Sequence, residues 1–200
     1  GLYSVDTDLL VSTFEKRCTK PWPKKFLYVG RYIEEKDLRT LAEGYRIYRS
    51  LVKDPWPLST IGQGPHRKLL EDQIGVDVLD FVQPDDLAVF WERHGAFVIA
   101  SKYDPWPLVI VEACRAGLPV IHSTACGSAV ELVRESYSGY SFPTGSAIGL
   151  ALAMTKIHHR YDDLRTMGKR SIQLSSPYCS RQWAMNVLEI AWFLEGCKAY

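Results

Sequence analysis

Six short apolar runs, rich in β-branched and aromatic residues, alternate along the chain with segments of helical periodicity. The runs lie at residues 25–30, 58–62, 78–82, 96–101, 118–123 and 139–143. Because parallel strands are joined by crossovers of about a dozen residues, usually helical, this alternation is typical of βα units around a parallel sheet. We therefore predict an α/β fold, with a mostly parallel sheet of about six strands and helices on both faces.

The strand pattern stops near residue 145. Three helical segments follow, near 146–158, 161–175 and 180–197. The last of them has a broad apolar face that includes Trp183 and Trp192, which is more than a lone surface helix needs. We expect these helices to be appended to the sheet, with the C-terminal helix within 176–200. Core packing is the simpler interpretation for that helix, and packing on a domain outside this chain is the alternative.

Length and charge narrow the class of protein. A chain of 200 residues with 46% hydrophobic content can bury a full core, so we interpret residues 1–200 as one domain. The 24 basic and 23 acidic residues leave a net charge of +1, which argues against a nucleic-acid partner. No apolar run approaches the ~18 residues of a membrane span, and residues 1–10 do not resemble a signal peptide. We expect a soluble, cytoplasmic protein.

The potential metal ligands are scattered. The five cysteines form no C-x-x-C pair and no cluster with histidine at zinc spacing. His158 and His159 are adjacent, and adjacent residues point to different faces of a helix. We therefore expect free thiols and no metal site.

The pentapeptide DPWPL occurs at 54–58 and again at 104–108, but the flanking residues do not align, so the chain is not a tandem repeat. The second copy lies between two predicted strands, where Asp104 suits a helix N-cap and Pro105 the first helical position. A helix that begins at the carboxyl end of a strand directs free N–H groups into the crevice where doubly wound sheets bind ligands. This position favours a phosphate site, and the carboxylates of Asp104 and Glu112 can lie on a similar side of the crevice. A helix cap and a solvated glutamate are the alternative interpretation.

Residues 97–142 contain an acid, seven residues, a glutamate and then a small-residue helix that ends in Gly-Leu-Pro-Val. With Asp104 and Glu112 as the two acids, this stretch resembles the nucleotide-sugar-binding half of family-four retaining glycosyltransferases. Earlier segments are similar to the same family in the same order. They are an interdomain linker (5–10), a first strand with a donor-phosphate loop (28–45) and a second strand with Gly-x-Gly (58–65).

The resemblance implies the GT-B architecture, two Rossmann-like domains with a cleft between them. This chain then corresponds to the C-terminal donor domain, with a linker-like segment at 1–24, and the N-terminal acceptor domain is absent from it. The implied activity of the intact protein is transfer of a sugar, with retention, from a nucleotide diphosphate sugar to an acceptor that is a glycan, a lipid or a small molecule. UDP, GDP or ADP would be the leaving group, and no cofactor beyond this co-substrate is implied. The resemblance leaves room for peripheral membrane contact of the full protein and implies that the isolated domain is inactive.

The resemblance also assigns roles to residues. Arg31 and Lys36 would neutralise the diphosphate, and Asp104 would contact the donor sugar, so these three are the implied catalytic residues. The implied substrate-binding residues are Gly30 in the phosphate loop, Val82 and Gln83 along the base, Leu108 and Val109 through their backbone N–H groups, and Glu112 at the ribose hydroxyls.

Four residues depart from the family pattern. Asp104 is one methylene shorter than the usual glutamate, and Pro107 replaces a common glycine and cannot donate an N–H group. Asp37 replaces a glycine and adds a negative charge near the phosphate loop, and Cys126 replaces another glycine, so we assign Gly127 and Glu131 no role. These departures keep open a non-catalytic nucleotide-binding or docking module.

Two other enzyme classes fit the sequence poorly. A dinucleotide-dependent oxidoreductase would carry Gly-x-Gly-x-x-Gly after its first strand, where this chain has GRYIEEK. A hydrolase of the α/β class would carry a Gly-x-Ser-x-Gly elbow, which the sequence lacks.

Overall fold

The computed structural model describes residues 7–197. Its sheet has six parallel strands in the spatial order β3-β2-β1-β4-β5-β6. The strands are β1 (Phe26–Val29), β2 (Leu58–Ile61), β3 (Val76–Leu79), β4 (Ala96–Ile99), β5 (Val120–Ser123) and β6 (Gly139–Phe142). The predicted parallel sheet is confirmed. The third strand starts at Val76, two residues earlier than predicted, directly after a turn in which Gly75 has φ 81° and its carbonyl accepts from the Leu58 N–H.

The described helices cover both faces of the sheet, as predicted. They are α1 (Thr7–Cys18), α2 (Leu38–Leu51), α3 (Lys68–Glu71), α4 (Pro84–Arg93), α5 (Leu108–Arg115), α6 (Ala129–Leu132), α7 (Ala147–His159), α8 (Leu164–Ser175) and α9 (Ser180–Cys197). Helices α2 and α7 pack together on one face, and α1, α4 and α5 pack on the other. None of the described helices is both long and apolar enough to cross a membrane.

Strand β1 shows why the sheet is apolar on both faces. Phe26 and Tyr28 belong to the core under α2 and α7, whereas Leu27, between them, belongs to the core under α4 and α5. Successive side chains of a strand point to opposite faces, so a strand covered on both faces has an unbroken apolar run. This burial explains why the strands were visible in the sequence.

The N-terminal segment, expected to be linker-like over 1–24, contains a packed helix; residues 1–6 lie outside the described part. Helix α1 contacts α4 and α5, and Arg17 near its end is only 1% exposed. The Arg17 guanidinium donates to the carbonyls of Trp91 and His94 at the end of α4, and of Ala116 at the end of α5. A cation at a helix C-terminus satisfies orphan carbonyls, so the described part of this segment is an element of the fold.

The C-terminal helix forms at Ser180–Cys197, but the expectation that it packs on the core is wrong for its described side chains. Trp192 is 69% exposed, Phe193 is 70% exposed, and every side chain from residue 180 to 194 is exposed. No described element therefore covers these side chains. Packing on a domain outside this chain stays a prediction, and residues 198–200 of the predicted segment lie outside the described part.

Candidate functional site

The sheet order places a topological switch point between β1 and β4. The chain leaves β1 towards α2 on one face and leaves neighbouring β4 towards α5 on the other. Open α/β sheets bind ligands in the crevice that such a divergence creates at the carboxyl ends of the strands. The two segments at this crevice are named here the β1 loop, residues 30–37, and the β4 loop, residues 100–107.

The structure brings two of the three predicted catalytic residues, Lys36 and Asp104, into contact across these loops, and Arg31 lies on the β1 loop. The Lys36 ammonium forms an ion pair with Asp104, and their side chains are 16% and 14% exposed. Burial raises the pKa of Tyr28, the nearby Asp104 carboxylate adds to this rise, and the nearby Arg31 opposes it. Both charges therefore act on one phenol at the end of β1. The exposed Arg31 guanidinium forms no ion pair with any residue between 7 and 197.

The glycines at the start of the crevice allow close backbone contacts. A Cβ at Gly62 would lie 1.9 Å from the Gly30 oxygen, and a Cβ at Gly64 would lie 2.4 Å from the Tyr32 oxygen. The Gly30 N–H donates to Ile61 at 3.0 Å. The segment after β2 thus holds the β1 loop in place, which gives the Gly-x-Gly pair a structural role.

Asp37 ends the β1 loop, and its carboxylate is directed to the start of α2. Its backbone is left-handed, with φ 47°, a conformation that glycine adopts freely and aspartate tolerates. Its carboxylate accepts from the N–H of Thr40 at 3.3 Å and from the Thr40 hydroxyl at 2.7 Å, so it caps α2. The replacement of glycine by aspartate therefore keeps the turn and adds a helix cap.

The prediction that Asp104 caps α5 and that Pro105 is its first residue is wrong. Helix α5 begins at Leu108, with Pro107 as its N-cap, whose lack of an N–H leaves no donor unsatisfied. Asp104 instead forms a β-bridge with Cys126, and the Gly127 N–H donates to the Asp104 carbonyl at 3.0 Å. Residues that precede proline disfavour helical backbone, so the tertiary bridge prevails over the local cap. The Asp104 carboxylate is thereby available to Lys36.

The first turn of α5 retains the donors that the sequence predicted. Four N–H groups at the start of a helix lack an intrahelical partner, and the first two of α5 belong to Leu108 and Val109. Of these early donors, Ile110 already bonds the Pro107 carbonyl, at 3.1 Å. The N–H groups of Leu108 and Val109 therefore suit an anion in the crevice.

The turn after β5 holds the β4 loop, a role that sequence reasoning missed. A Cβ at Gly127 would lie 2.0 Å from the Pro105 oxygen, so only glycine fits there. The buried Ser128 hydroxyl donates to the Pro107 carbonyl at 3.1 Å. A glycine followed by a small hydroxyl residue after the fifth strand was the available signal.

Glu112 lies one turn inside α5 and is half-buried. Its carboxylate forms no hydrogen bond or ion pair within residues 7–197, and burial raises its pKa. A desolvated carboxylate without a partner destabilises the fold. Such carboxylates are common at functional sites. That the Glu112 and Asp104 carboxylates lie on a similar side of the crevice stays a prediction.

Val82 and Gln83 lie further out along the same edge of the sheet. They follow β3, the outer strand, and Gln83 is the N-cap of α4. Val82 is half-buried against the core under α4, and Gln83 is exposed. Because every strand is parallel, their segment opens on the same edge as the β1 and β4 loops.

Comparison with known proteins identifies the family of the chain. The family described as Glycosyl transferases group 1 matches residues 13–174. An uncharacterized glycosyltransferase of Methanocaldococcus jannaschii is 32% identical over 123 residues, which make up 58% of this chain and 31% of that relative. The chain therefore spans about a third of the curated relative.

Two solved structures share the fold. Sucrose-phosphate synthase from Thermosynechococcus elongatus matches with a TM-score of 0.78 and 23% identity, over 97% of this chain and 52% of that one. HepE from Anabaena, in complex with UDP, matches with a TM-score of 0.77 and 18% identity, over 94% of this chain and 55% of that one. The family match covers most of the chain, including both loops of the crevice, and the chain therefore belongs to the Glycosyl transferases group 1 family.

Proposed function

We propose that the chain is the donor-binding part of an enzyme that transfers a sugar from a nucleotide diphosphate sugar to an acceptor, with retention of configuration. The observation that carries the proposal is the meeting of Lys36 and Asp104 at the switch point, directly before the first turn of α5. Cations, a carboxylate and free helix N–H groups then line one crevice. HepE, with UDP bound, has the same fold and supports a nucleoside diphosphate as the ligand.

The leaving diphosphate is the group that needs most stabilisation. It gains negative charge as the glycosidic bond breaks, and preorganised donors aimed at that charge lower the barrier. Arg31 and Lys36 supply two cations, and the N–H groups of Leu108 and Val109 supply dipoles. In this proposal these groups take the place of a divalent metal ion. We therefore continue to predict that the site needs no metal or other cofactor.

The opposite charge develops on the sugar. As the diphosphate leaves, the anomeric carbon becomes positive, and the Asp104 carboxylate lies beside the cation that holds the phosphate. Asp104 would contact the donor sugar and stabilise that charge. It would need to release Lys36, fully or in part, when the diphosphate binds.

The nucleoside would extend from the diphosphate along the sheet edge. Glu112 has an unpaired, desolvated carboxylate suited to accept hydrogen bonds from two ribose hydroxyls. Val82 and Gln83 would line the base in the segment after β3. Gly30, with no side chain, lets a phosphate approach the β1 loop.

A second domain is part of the proposal because this chain spans about a third of its curated relative. We place the acceptor site on a Rossmann-like domain outside this chain, which would pack on the exposed apolar face of α9. The isolated chain would then bind a donor without transferring sugar. Cytoplasmic location, peripheral membrane contact and the acceptor class all stay open to experiment.

The second candidate is a non-catalytic nucleotide-binding or docking module. It is favoured by one observation, that Asp104 already neutralises Lys36. Its other grounds, Asp37 and Pro107, have structural roles as well, because Asp37 caps α2 and Pro107 is the N-cap of α5.

The test uses the protein of the full reading frame, incubated with nucleotide sugars and a panel of acceptors. We expect transfer with the anomeric configuration retained, read by NMR, and a large loss of kcat/KM in Lys36→Ala. Inversion of the anomer would overturn the retaining assignment. Binding of nucleoside diphosphate without transfer to any acceptor or water would favour the non-catalytic module.

A further inference from the structure

Lys102 joins the two loops of the crevice, although none of the roles above uses it. Its ammonium lies 2.6 Å from the Glu34 carboxylate and 3.7 Å from the Asp37 carboxylate, both on the β1 loop. Its backbone N–H donates to the Glu35 carbonyl at 2.8 Å. Lys102 itself belongs to the β4 loop, two positions before Asp104. One residue therefore bridges the switch point through a charge and through the backbone.

The partner that matters is Asp37, because its side chain is only 2% exposed. A buried carboxylate is costly unless a charge or several hydrogen bonds compensate it. Thr40 supplies hydrogen bonds but no charge. Within the described part of the chain, Lys102 is the cation that forms an ion pair with Asp37.

The position of Asp37 gives this pair a consequence for ligand binding. Asp37 is adjacent in sequence to Lys36, which would bind the diphosphate. A negative charge this close repels a bound phosphate, and burial reduces the screening by salt. Without a compensating cation, the Asp37 charge would therefore weaken the binding of phosphate by Lys36.

Lys102 is well suited to remain charged. Its hydrogen bond to Glu34 and the charge of Asp37 raise the pKa of Lys102 above its ordinary value. Lys102 in turn lowers the pKa of Glu34, first by this hydrogen bond and then by its charge.

We propose that Lys102 is a positioning residue for the donor diphosphate: it neutralises Asp37 and so allows phosphate to bind the β1 loop beside a buried carboxylate. This inference rests on the proposed function. The inference also extends the proposed function, because it explains how the donor site accommodates Asp37 at a position where the resemblance implied a glycine. The inference predicts that the charges at positions 37 and 102 are coupled, and that the coupling changes the affinity for a phosphate ligand.

The test is a double-mutant cycle with UDP as the probe, measured by calorimetric titration. Lys102→Met keeps the aliphatic side chain and removes the charge, and Asp37→Asn keeps the cap acceptor and tolerates left-handed backbone. We expect Lys102→Met to weaken UDP binding about tenfold, equivalent to ~1.4 kcal/mol. In the Asp37→Asn background the same change should have almost no effect. In the Glu34→Gln background the full loss should remain.

Three results would overturn the proposal in different ways. Equal UDP affinity of the wild type and Lys102→Met would overturn it and leave the proposed function standing. A tenfold loss that persists with Asp37→Asn but disappears with Glu34→Gln would show that Lys102 acts only as a tether through Glu34. Absence of any nucleoside diphosphate binding by the folded wild type would overturn the proposed function and this inference together. Thermal melting of each variant checks that the fold is intact.

Discussion

Lys36 and Asp104 form an ion pair across the loops that follow β1 and β4, directly before α5. The pair joins two residues that are 68 positions apart in the sequence. The cation proposed to hold the donor phosphate is therefore already paired with a carboxylate.

Substitution of Asp104 tests this competition. We predict that Asp104→Asn raises the affinity for UDP about fivefold, ~1 kcal/mol, because Lys36 no longer exchanges one anion for another. Sugar transfer by the full protein should fall at the same time. Calorimetry and kinetics measure the two effects, and Asp54→Asn, in the first DPWPL copy, is the matched control. Weaker UDP binding in Asp104→Asn would contradict the competition.

Glu112 should show opposite effects on binding and on stability. Glu112→Gln removes a charged acceptor from the ribose, so we predict about 10- to 100-fold weaker UDP binding, ~1.5–3 kcal/mol. Burial raises the pKa of Glu112 in the folded chain. Between the ordinary and the raised pKa, the folded chain therefore binds more protons than the unfolded chain. Stability falls as the pH rises through this interval, and above it the charged carboxylate has its full destabilising effect.

The stability arm of this prediction depends on pH. Glu112→Gln should raise the free energy of unfolding at about pH 7.5, and the gain should vanish at about pH 3, below the ordinary pKa, where the carboxyl is protonated in both states. Chemical denaturation at the two pH values measures it. A variant that is less stable at neutral pH would show that the carboxylate has a stabilising partner.

Arg17 provides a test of the N-terminal helix. We predict that Arg17→Met lowers the free energy of unfolding by about 3 kcal/mol, because it leaves buried carbonyls at the ends of α4 and α5 without a donor. Lys16→Met, at an exposed neighbouring position, should change stability little. Chemical denaturation of both variants measures the difference, and equal stability of the two would contradict the role of Arg17 in holding α1 on α4 and α5.

Helix α9 should be dispensable for the sheet domain. We predict that deletion of residues 180–200 leaves the melting temperature of the remaining chain almost unchanged and reduces self-association, because the apolar side chains described between residues 180 and 194 are exposed. Calorimetry and size-exclusion chromatography measure both. A large fall in melting temperature would restore the interpretation that this helix belongs to the core.

The sequence predicted the sheet well because its strands are buried on both faces. Strand β4, for example, is fully buried and has an unbroken apolar run. The start of α5 was not predictable from local rules, since Asp-Pro is a favourable helix start. The bridge between Asp104 and Cys126, 22 residues apart, determines the outcome, and a local pattern contains no such contact.

The same limit applies to the site. The resemblance assigned roles to residues 31, 36, 104 and 112, and the structure brings Lys36 and Asp104 into contact. The sequence could not show that Asp37 adopts left-handed backbone and caps α2, because a dihedral angle is set by the surrounding turn. Gly127 was a signal of a close approach, but the sequence could not show that its partner is the Pro105 carbonyl on a separate loop.

The central claim is that Arg31 and Lys36 form the diphosphate clamp of a donor site at the switch point. Calorimetric titration of the chain with UDP, GDP and ADP tests it most directly, using Arg31→Ala and Lys36→Ala with Arg93→Ala and Lys53→Ala as controls from the opposite edge of the sheet. We predict that the wild type and both controls bind at least one nucleoside diphosphate, and that each clamp variant loses ~1.5–3 kcal/mol of binding free energy. Binding that is unchanged in both clamp variants would contradict the claim.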